Sequence, residues 1–127
     1  MKKHFSVFFL WAALIGVAAP AFAQPLTGDE IKKLLAGNTV EQTQFVPKNM
    51  TFLSYYDADG SIMTLTESGK TNTGKWRVNE DNLLCVQWPN RAEVCIQIVK
   101  EADGTYKRVD KGEVRAIMKN ITPGKLF

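Results

Sequence analysis

The chain has 127 residues, 45% of them hydrophobic, with 16 Lys and Arg against 13 Asp and Glu. This length and composition fit one small globular domain with a modest core. A formal net charge of +3 does not suggest the basic stripe of a nucleic-acid-binding protein. The single histidine is His4. The rest of the chain therefore lacks Ser-His-Asp and Cys-His catalytic sets, and also the commonest transition-metal ligand.

The first 23 residues predict a secretory signal peptide. Lys2 and Lys3 precede an almost wholly apolar run over residues 5–19, and Ala21-Phe22-Ala23 supplies the cleavage pattern. The run is shorter than the roughly 20 residues of a membrane-spanning helix, so we expect no stable membrane anchor after cleavage. The predicted mature protein begins at Gln24, loses two lysines so that its net charge falls from +3 to +1, and is periplasmic or secreted.

The stretch LTGDEIKKLLAG, residues 26–37, predicts one amphipathic helix. Thr27 is the expected N-cap, and Glu30 three residues later completes a capping box. Leu26 and Ile31 are placed to form a hydrophobic staple, and Gly37 suits the left-handed backbone that ends a helix. A helix of about ten residues is unstable alone, so its apolar stripe must pack on the rest of the domain.

From Asn38 onward, short β-type segments alternate with turn signals, without a linker or low-complexity segment. This spacing predicts a mainly β fold, a small antiparallel meander. Closed as a lipocalin-like up-and-down barrel of seven or eight strands, it has no exposed sheet edge. We expect the N-terminal helix to plug one end. The predicted strands are 39–44, 50–56, 61–67, 71–78, 83–88, 93–99, 105–109 and 113–119.

Two turns, in YDADGSI and KEADGTY, share an Ala-Asp-Gly core that invites comparison with a calcium loop. Counting from Asp57 puts Ile62 at position 6 and Ser68 at position 12, where an EF-hand needs Gly and Glu. We therefore interpret both as hairpin turns with aspartate accepting from the backbone and glycine at positive φ. Nothing pairs the carboxylates of Asp57, Asp59 or Glu93 as catalysis requires, so the sequence predicts a non-enzymatic protein without metal or cofactor.

The segment LCVQWPNRAEVC, residues 84–95, holds both cysteines. With residues 89–91 at the tip of a hairpin, Cys85 lies opposite Cys95 and Trp88 opposite Ala92, so a disulfide is predicted. Alternation places the sulfurs on the more polar, outward face. A redox catalyst usually has Cys-x-x-Cys at a helix start. The bridge is therefore interpreted as a structural staple, worth about 2–3 kcal/mol.

Aromatic and sulfur-containing side chains are spread over the predicted strands. They suit either the lining of a small apolar pocket in the barrel mouth or an ordinary core. The Gly74-Lys75-Trp76 stretch is similar to the Gly-x-Trp motif of lipocalins, but it falls on the fourth strand instead of the first. Tyr55 and Tyr56 are adjacent, so they face opposite sides of the sheet. The candidates for ligand or partner binding are Tyr55, Tyr56, Trp76, Trp88, Asn90 and Arg91.

Several short motifs follow one another in order: LTGDEIKKLLAGNTV, YYDADGS, GKWRV, and LCVQW followed by Cys95. This order resembles a family of small exported bacterial proteins of unknown function, over nearly the whole predicted mature chain. In that family a Leu-Thr-x-x-Glu-Ile helix precedes Tyr-Tyr-x-x-Asp-Gly, Gly-x-Trp and a Leu-Cys…Trp…Cys hairpin. The resemblance implies a small, exported, disulfide-clipped β-rich domain, and it supplies no reaction and no catalytic residues.

Two hypotheses about function follow. The first is an exported, monomeric binding module that takes a small apolar ligand in the barrel mouth or an envelope protein on an aromatic rim. The second is an inhibitor or interaction protein that acts on an envelope-targeting hydrolase through the hairpin tip at residues 89–91, which the disulfide holds stiff.

Overall fold

A computed structural model describes residues 24–127, and the predicted signal peptide lies outside the described residues. The described chain contains one helix and nine strands. In chain order they are β1 (Gln24–Pro25), α1 (Gly28–Leu35), β2 (Asn38–Gln44), β3 (Met50–Tyr56), β4 (Ser61–Thr66), β5 (Thr71–Val78), β6 (Leu84–Gln87), β7 (Val94–Lys100), β8 (Tyr106–Asp110) and β9 (Glu113–Pro123).

Strands β2 to β9 form a closed antiparallel barrel in which each strand pairs with the next along the chain. The barrel closes where β9 returns to β2, with Gln42 opposite Met118 and Gln44 opposite Ala116. Closure removes the free sheet edges that would otherwise expose unpaired backbone groups. The predicted up-and-down barrel with one N-terminal helix is therefore confirmed.

A short additional strand, which the sequence did not predict, precedes the helix. β1 pairs with β7, placing Gln24 opposite Lys100 and Pro25 opposite Val99. The backbone N–H of Leu26 continues the contact by donating to the carbonyl of Ile98 at 2.8 Å. β6 pairs only with the first residues of β7, so β1 occupies the part of that edge that β6 leaves free.

The helix has the predicted N-terminal cap. The backbone N–H of Glu30 donates to Thr27 Oγ1 at 3.3 Å, and the N–H of Thr27 donates to Glu30 Oε1 at 2.8 Å. Gly37 follows the helix at φ 79°, as expected of a residue that ends one. Ile31 and Leu35 are completely buried and belong to the barrel core. The helix therefore plugs one end of the barrel with its apolar stripe.

The Asp-Gly turns have the hairpin chemistry expected from the sequence. Asp59 accepts the backbone N–H of Ser61 at 2.8 Å and its hydroxyl at 2.7 Å. These bonds hold the pKa of the Asp59 carboxyl below its ordinary value. Asp103 accepts the corresponding pair from Thr105, and Gly60 is at φ 98°. The carboxylates of both turns are therefore engaged in holding the backbone.

The predicted disulfide between Cys85 and Cys95 is present, with the two residues opposite one another in the β6–β7 ladder. The ladder ends at Val86 opposite Val94, so Trp88 and Ala92 do not continue it as expected. Cys85 is completely buried, although its side of the sheet faces outward. On this side, Arg77 of β5 lies opposite Cys85 and donates to the Glu93 carboxylate at 2.7 and 2.8 Å. That carboxylate lies within 4.8 Å of both sulfurs.

Replacing both cysteines, as in Cys85→Ala/Cys95→Ala, should lower the free energy of unfolding by about 2–3 kcal/mol, because the bridge closes a short loop in the unfolded chain. Urea unfolding followed by tryptophan fluorescence would measure the change, with the single substitution Ala92→Ser as the matched control within the same loop. An unfolding midpoint equal to that of the wild type would contradict a stabilising role for the bridge.

Candidate functional site

The two ends of the barrel are built differently. The up-and-down order puts the turns after β3, β5 and β7 at the helix end, where the N–H of Gly28 donates to Asn82 Oδ1 at 2.8 Å. The remaining connections lie at the opposite end. This second end, called the mouth below, is formed by residues 45–49, 67–70, 88–93 and 111–112.

A cavity of about 210 Å³ opens at the mouth. Its apolar wall comes from residues on β6, β7 and the β2–β3 connection. Because side chains alternate along a strand, Val86, Val94 and Ile96 share the inward face with the core. The main apolar lining residues are Val46, Val86, Trp88, Val94 and Ile96.

Arg108 is the most unusual residue of the cavity lining. It lies between Ile98 and Ala116 in the sheet, and both of these are buried, so the strand pleat turns Arg108 inward. The residue as a whole is only partly buried. Its Nε, however, is buried and has no hydrogen-bond partner among residues 24–127, and no carboxylate of these residues pairs with the guanidinium. Burial lowers the pKa of its guanidinium by disfavouring the charged form, yet arginine remains protonated in proteins.

The charge of a second arginine at the cavity, Arg115, is balanced by nearby carboxylates. Its Nη2 lies 3.2 Å from Asp110 Oδ2, and its Nε lies 3.3 Å from Glu113 Oε1, a contact without hydrogen-bond geometry. Asp110 also lines the cavity, and its charge is neutralised by Arg115. The guanidinium of Arg108 is therefore the one uncompensated formal charge among the described residues that line this cavity.

Gln42 adds a second unpartnered polar group to the barrel interior. Its side chain is completely buried, and neither its amide nitrogen nor its amide oxygen has a hydrogen-bond partner within residues 24–127. It lies two residues along β2 from Gln44, which lines the cavity. Buried polar groups without partners cost about 1–3 kcal/mol each, and in native proteins they are rare enough to need an explanation.

No local sequence signal distinguishes Arg108 or Gln42 from solvated polar residues. In Tyr106-Lys107-Arg108-Val109, alternation alone allows either the Tyr and Arg pair or the Lys and Val pair to face inward. Closure of β9 onto both β8 and β2 decides this, because the interior is then the face shared by Ala116 and Met118.

The sequence-predicted aromatic candidates fall into different environments. Trp88 lines the cavity. Trp76 is 7% exposed, and its indole N–H donates to the carbonyl of Asp57 at 2.8 Å. It meets the buried ring of Tyr56 edge to face, with centroids 5.5 Å apart. Trp76 and Tyr56 therefore fill the helix end of the core, whereas Tyr55 lies partly buried on the outer face of β3.

Trp88 owes its position to Gly74 on the neighbouring strand. A Cβ atom at position 74 would lie 2.7 Å from Trp88 Cε3 and 2.6 Å from the backbone oxygen of Gln87. Gly74 in the GKW stretch therefore makes room for Trp88 as well as preceding a core tryptophan.

The two polar candidates lie at the tip beside Trp88. Asn90 and Arg91 are both exposed. The N–H of Arg91 donates to the carbonyl of Trp88 at 3.2 Å, and Asn90 is at φ 62°, which together with Pro89 fits a tight β-turn. The structure thus brings Trp88 and the tip to the mouth and leaves Tyr56 and Trp76 in the core.

A cluster of Cys85, Glu93 and Cys95 has ligand-type atoms within 4.8 Å of one another. Both sulfurs are consumed by the disulfide, and the Glu93 carboxylate is held by Arg77 at 2.7 and 2.8 Å. This ion pair also holds the pKa of Glu93 below its ordinary value. The cluster therefore offers no thiolate to a metal while the bridge is intact.

No protein-family model, curated protein or solved structure matches the chain. The resemblance to a family of small exported proteins therefore stays a prediction. Within residues 24–127, no helix is long and apolar enough to cross a membrane. The disulfide indicates a compartment outside the reducing cytoplasm.

Arg108→Met should raise the free energy of unfolding by about 0.5–1 kcal/mol, because it replaces a partly buried, inward-facing charge without a counter-charge with an apolar chain of similar length. The matched variant Arg115→Met loses two partly exposed ion pairs and should lower that free energy by less than about 1 kcal/mol. Chemical unfolding of both variants gives the comparison. Greater destabilisation by Arg108→Met than by Arg115→Met would mean that Arg108 supports the fold.

Proposed function

We propose that this protein is an exported, non-enzymatic, monomeric binding module that takes a small apolar ligand in the mouth of its barrel. The observation that carries the proposal is the cavity of about 210 Å³ with its wall of Val86, Trp88, Val94 and Ile96. Concave apolar sites with a few polar groups are the usual form of small-molecule sites, and barrel mouths are a preferred place for them.

The size of the cavity restricts the ligand. A dry cavity of about 150 Å³ holds a molecule such as benzene, and sites for drug-sized ligands start at about 300 Å³. The value of about 210 Å³ here lies between these limits. The proposed ligand therefore has one or two rings, or a short acyl chain, in the cavity.

Exposed apolar side chains at the mouth support ligand entry there. Val94 is 52% exposed while lining the cavity, and Phe45, next to the lining residue Val46, is 39% exposed. Leaving such side chains in water forfeits part of the burial free energy that a core position provides. A ligand seated against them recovers that free energy.

The chemistry of three carboxylates, those of Asp59, Asp103 and Glu93, supports a binding role over a catalytic one. Asp59 and Asp103 hold their turns, and Glu93 is held by Arg77. General acid–base catalysis needs a carboxyl group free to exchange protons at a reacting atom. The predicted signal peptide and the disulfide together support a periplasmic or secreted location for the module.

The test is titration with the neutral two-ring probe 1-aminonaphthalene, whose fluorescence changes in apolar surroundings and whose size fits the cavity of about 210 Å³. The wild type should bind it, and Val94→Gln should weaken binding about three- to tenfold by making the cavity wall polar. The matched control is Leu126→Gln, because Leu126 is 56% exposed and its backbone N–H bonds to Thr39 near the end of the barrel opposite the mouth. If the probe did not bind to the wild type, the proposed function would be wrong.

An alternative function is favoured by the exposed hairpin tip. Asn90 and Arg91 project beside the mouth, and Trp88, Pro89 and Asn90 also line a shallow, open depression on the barrel wall. A tip whose two flanking strands are joined by the Cys85–Cys95 disulfide suits a loop that inserts into a partner. In this alternative, the protein inhibits or binds an envelope-targeting hydrolase.

The alternative has a separate test, in which protein purified from the exported fraction is assayed against hydrolases that attack the cell envelope. Inhibition should fall at least tenfold in Asn90→Ala/Arg91→Ala and on reduction of the bridge, since both disturb the tip. The control Lys111→Ala alters a different turn at the same end. Equal inhibition by the wild type and the tip variant would exclude the hairpin as the inhibitory element.

A further inference from the structure

We infer that the ligand carries a carboxylate, which the Arg108 guanidinium binds inside the mouth while the rest of the ligand packs against the apolar wall. This inference rests on the proposed function and specifies its ligand as a small apolar carboxylic acid. The geometry behind it is an inward-facing arginine, uncompensated within the described chain, at a cavity that has an apolar wall and a polar side.

The charges around the cavity favour an anion. Asp110 is matched by Arg115 at 3.2 Å, which leaves the positive charge of Arg108 without a counter-charge from the lining. A cationic ligand would be repelled by that charge, and a neutral ligand would leave the guanidinium without a counter-charge. In the partly desolvated surroundings of a barrel interior, a charge pair is stronger than in water.

Because the anchoring residue is an arginine, the expected anion is a planar group. Guanidinium presents parallel N–H donors that match the two oxygens of a carboxylate. The buried Nε of Arg108 has no acceptor among residues 24–127, so this donor can take part in such a two-bond contact. Lysine would place a point charge there without this geometry.

The buried amide of Gln42 supports a polar ligand group in the interior. Neither of its polar atoms has a partner in the described part of the chain, although the residue is completely buried. Gln42 lies beside Met118, and Met118 lies beside Tyr106, two residues along β8 from Arg108. Two unpartnered polar groups on neighbouring parts of one interior surface are expensive for a structural core and suit a site that receives hydrogen-bonding atoms.

The experiment compares octanoate with its neutral counterpart octanamide at neutral pH, both displacing the two-ring probe 1-aminonaphthalene from the protein. The wild type should bind octanoate about tenfold to hundredfold more tightly, as expected for charge-assisted hydrogen bonds. This ratio of affinities should fall to about one in Arg108→Met and keep an intermediate value in Arg108→Lys. The control Lys107→Met, which changes the neighbouring residue paired with Glu101, should keep the wild-type ratio.

Each outcome bears on the inference separately from the proposed function. If the probe binds but the wild type does not prefer octanoate, the carboxylate inference is wrong and the apolar site stands. If the preference survives Arg108→Met or is lost only in Arg115→Met, Arg108 is not the anchor and the inference is also wrong. If neither the probe nor octanoate binds, both the inference and the proposed function are wrong.

Discussion

The pairing of β9 with β2 is the contact on which the rest of this structure depends. It converts a meander into a closed barrel. In a closed barrel, the side chains of every strand alternate between the interior and the outer surface. Met118 and Ala116 lie opposite Gln42 and Gln44 and share their inward face. The pairing of β8 with β9 then determines which residues of β8 also face inward. Arg108 lies inside because the sheet closes, although nothing in its immediate sequence favours burial.

The helix gives the barrel its asymmetry. An eight-stranded barrel is narrow enough for side chains to fill completely, and at the helix end they do, through Ile31, Leu35, Tyr56 and Trp76. At the mouth, no element of the described chain performs the same role. The interior therefore changes along its axis. At the helix end it is a well-packed core whose indole N–H is satisfied by Asp57. At the mouth it is a cavity lined by Arg108, whose Nε has no hydrogen-bond partner within residues 24–127.

The sequence predicted those features that depend on interactions between residues close together in the chain. The capping box of Thr27 and Glu30, the Asp-Gly turns, the strand spacing and the Cys85–Cys95 register all follow from neighbouring residues, and each was predictable. β1 was not, because two residues ending in proline carry almost no strand signal. Of the candidate site, only Trp88 and the adjoining tip at Asn90 and Arg91 were expected at the mouth. Arg108 and Gln42 depend on which strands meet across the barrel, which no short segment encodes.

The chain ends have a practical consequence. After β9 the chain turns across the helix end, where Gly124 N–H donates to Gly37 O at 2.8 Å and Leu126 N–H donates to Thr39 Oγ1 at 3.2 Å. Gln24 pairs with Lys100 beside the β7–β8 turn, at the same end. A tag, fusion partner or surface linkage attached to Phe127 would therefore hold the barrel with its mouth directed away from the support. Immobilisation for ligand screening then leaves the cavity facing the solution.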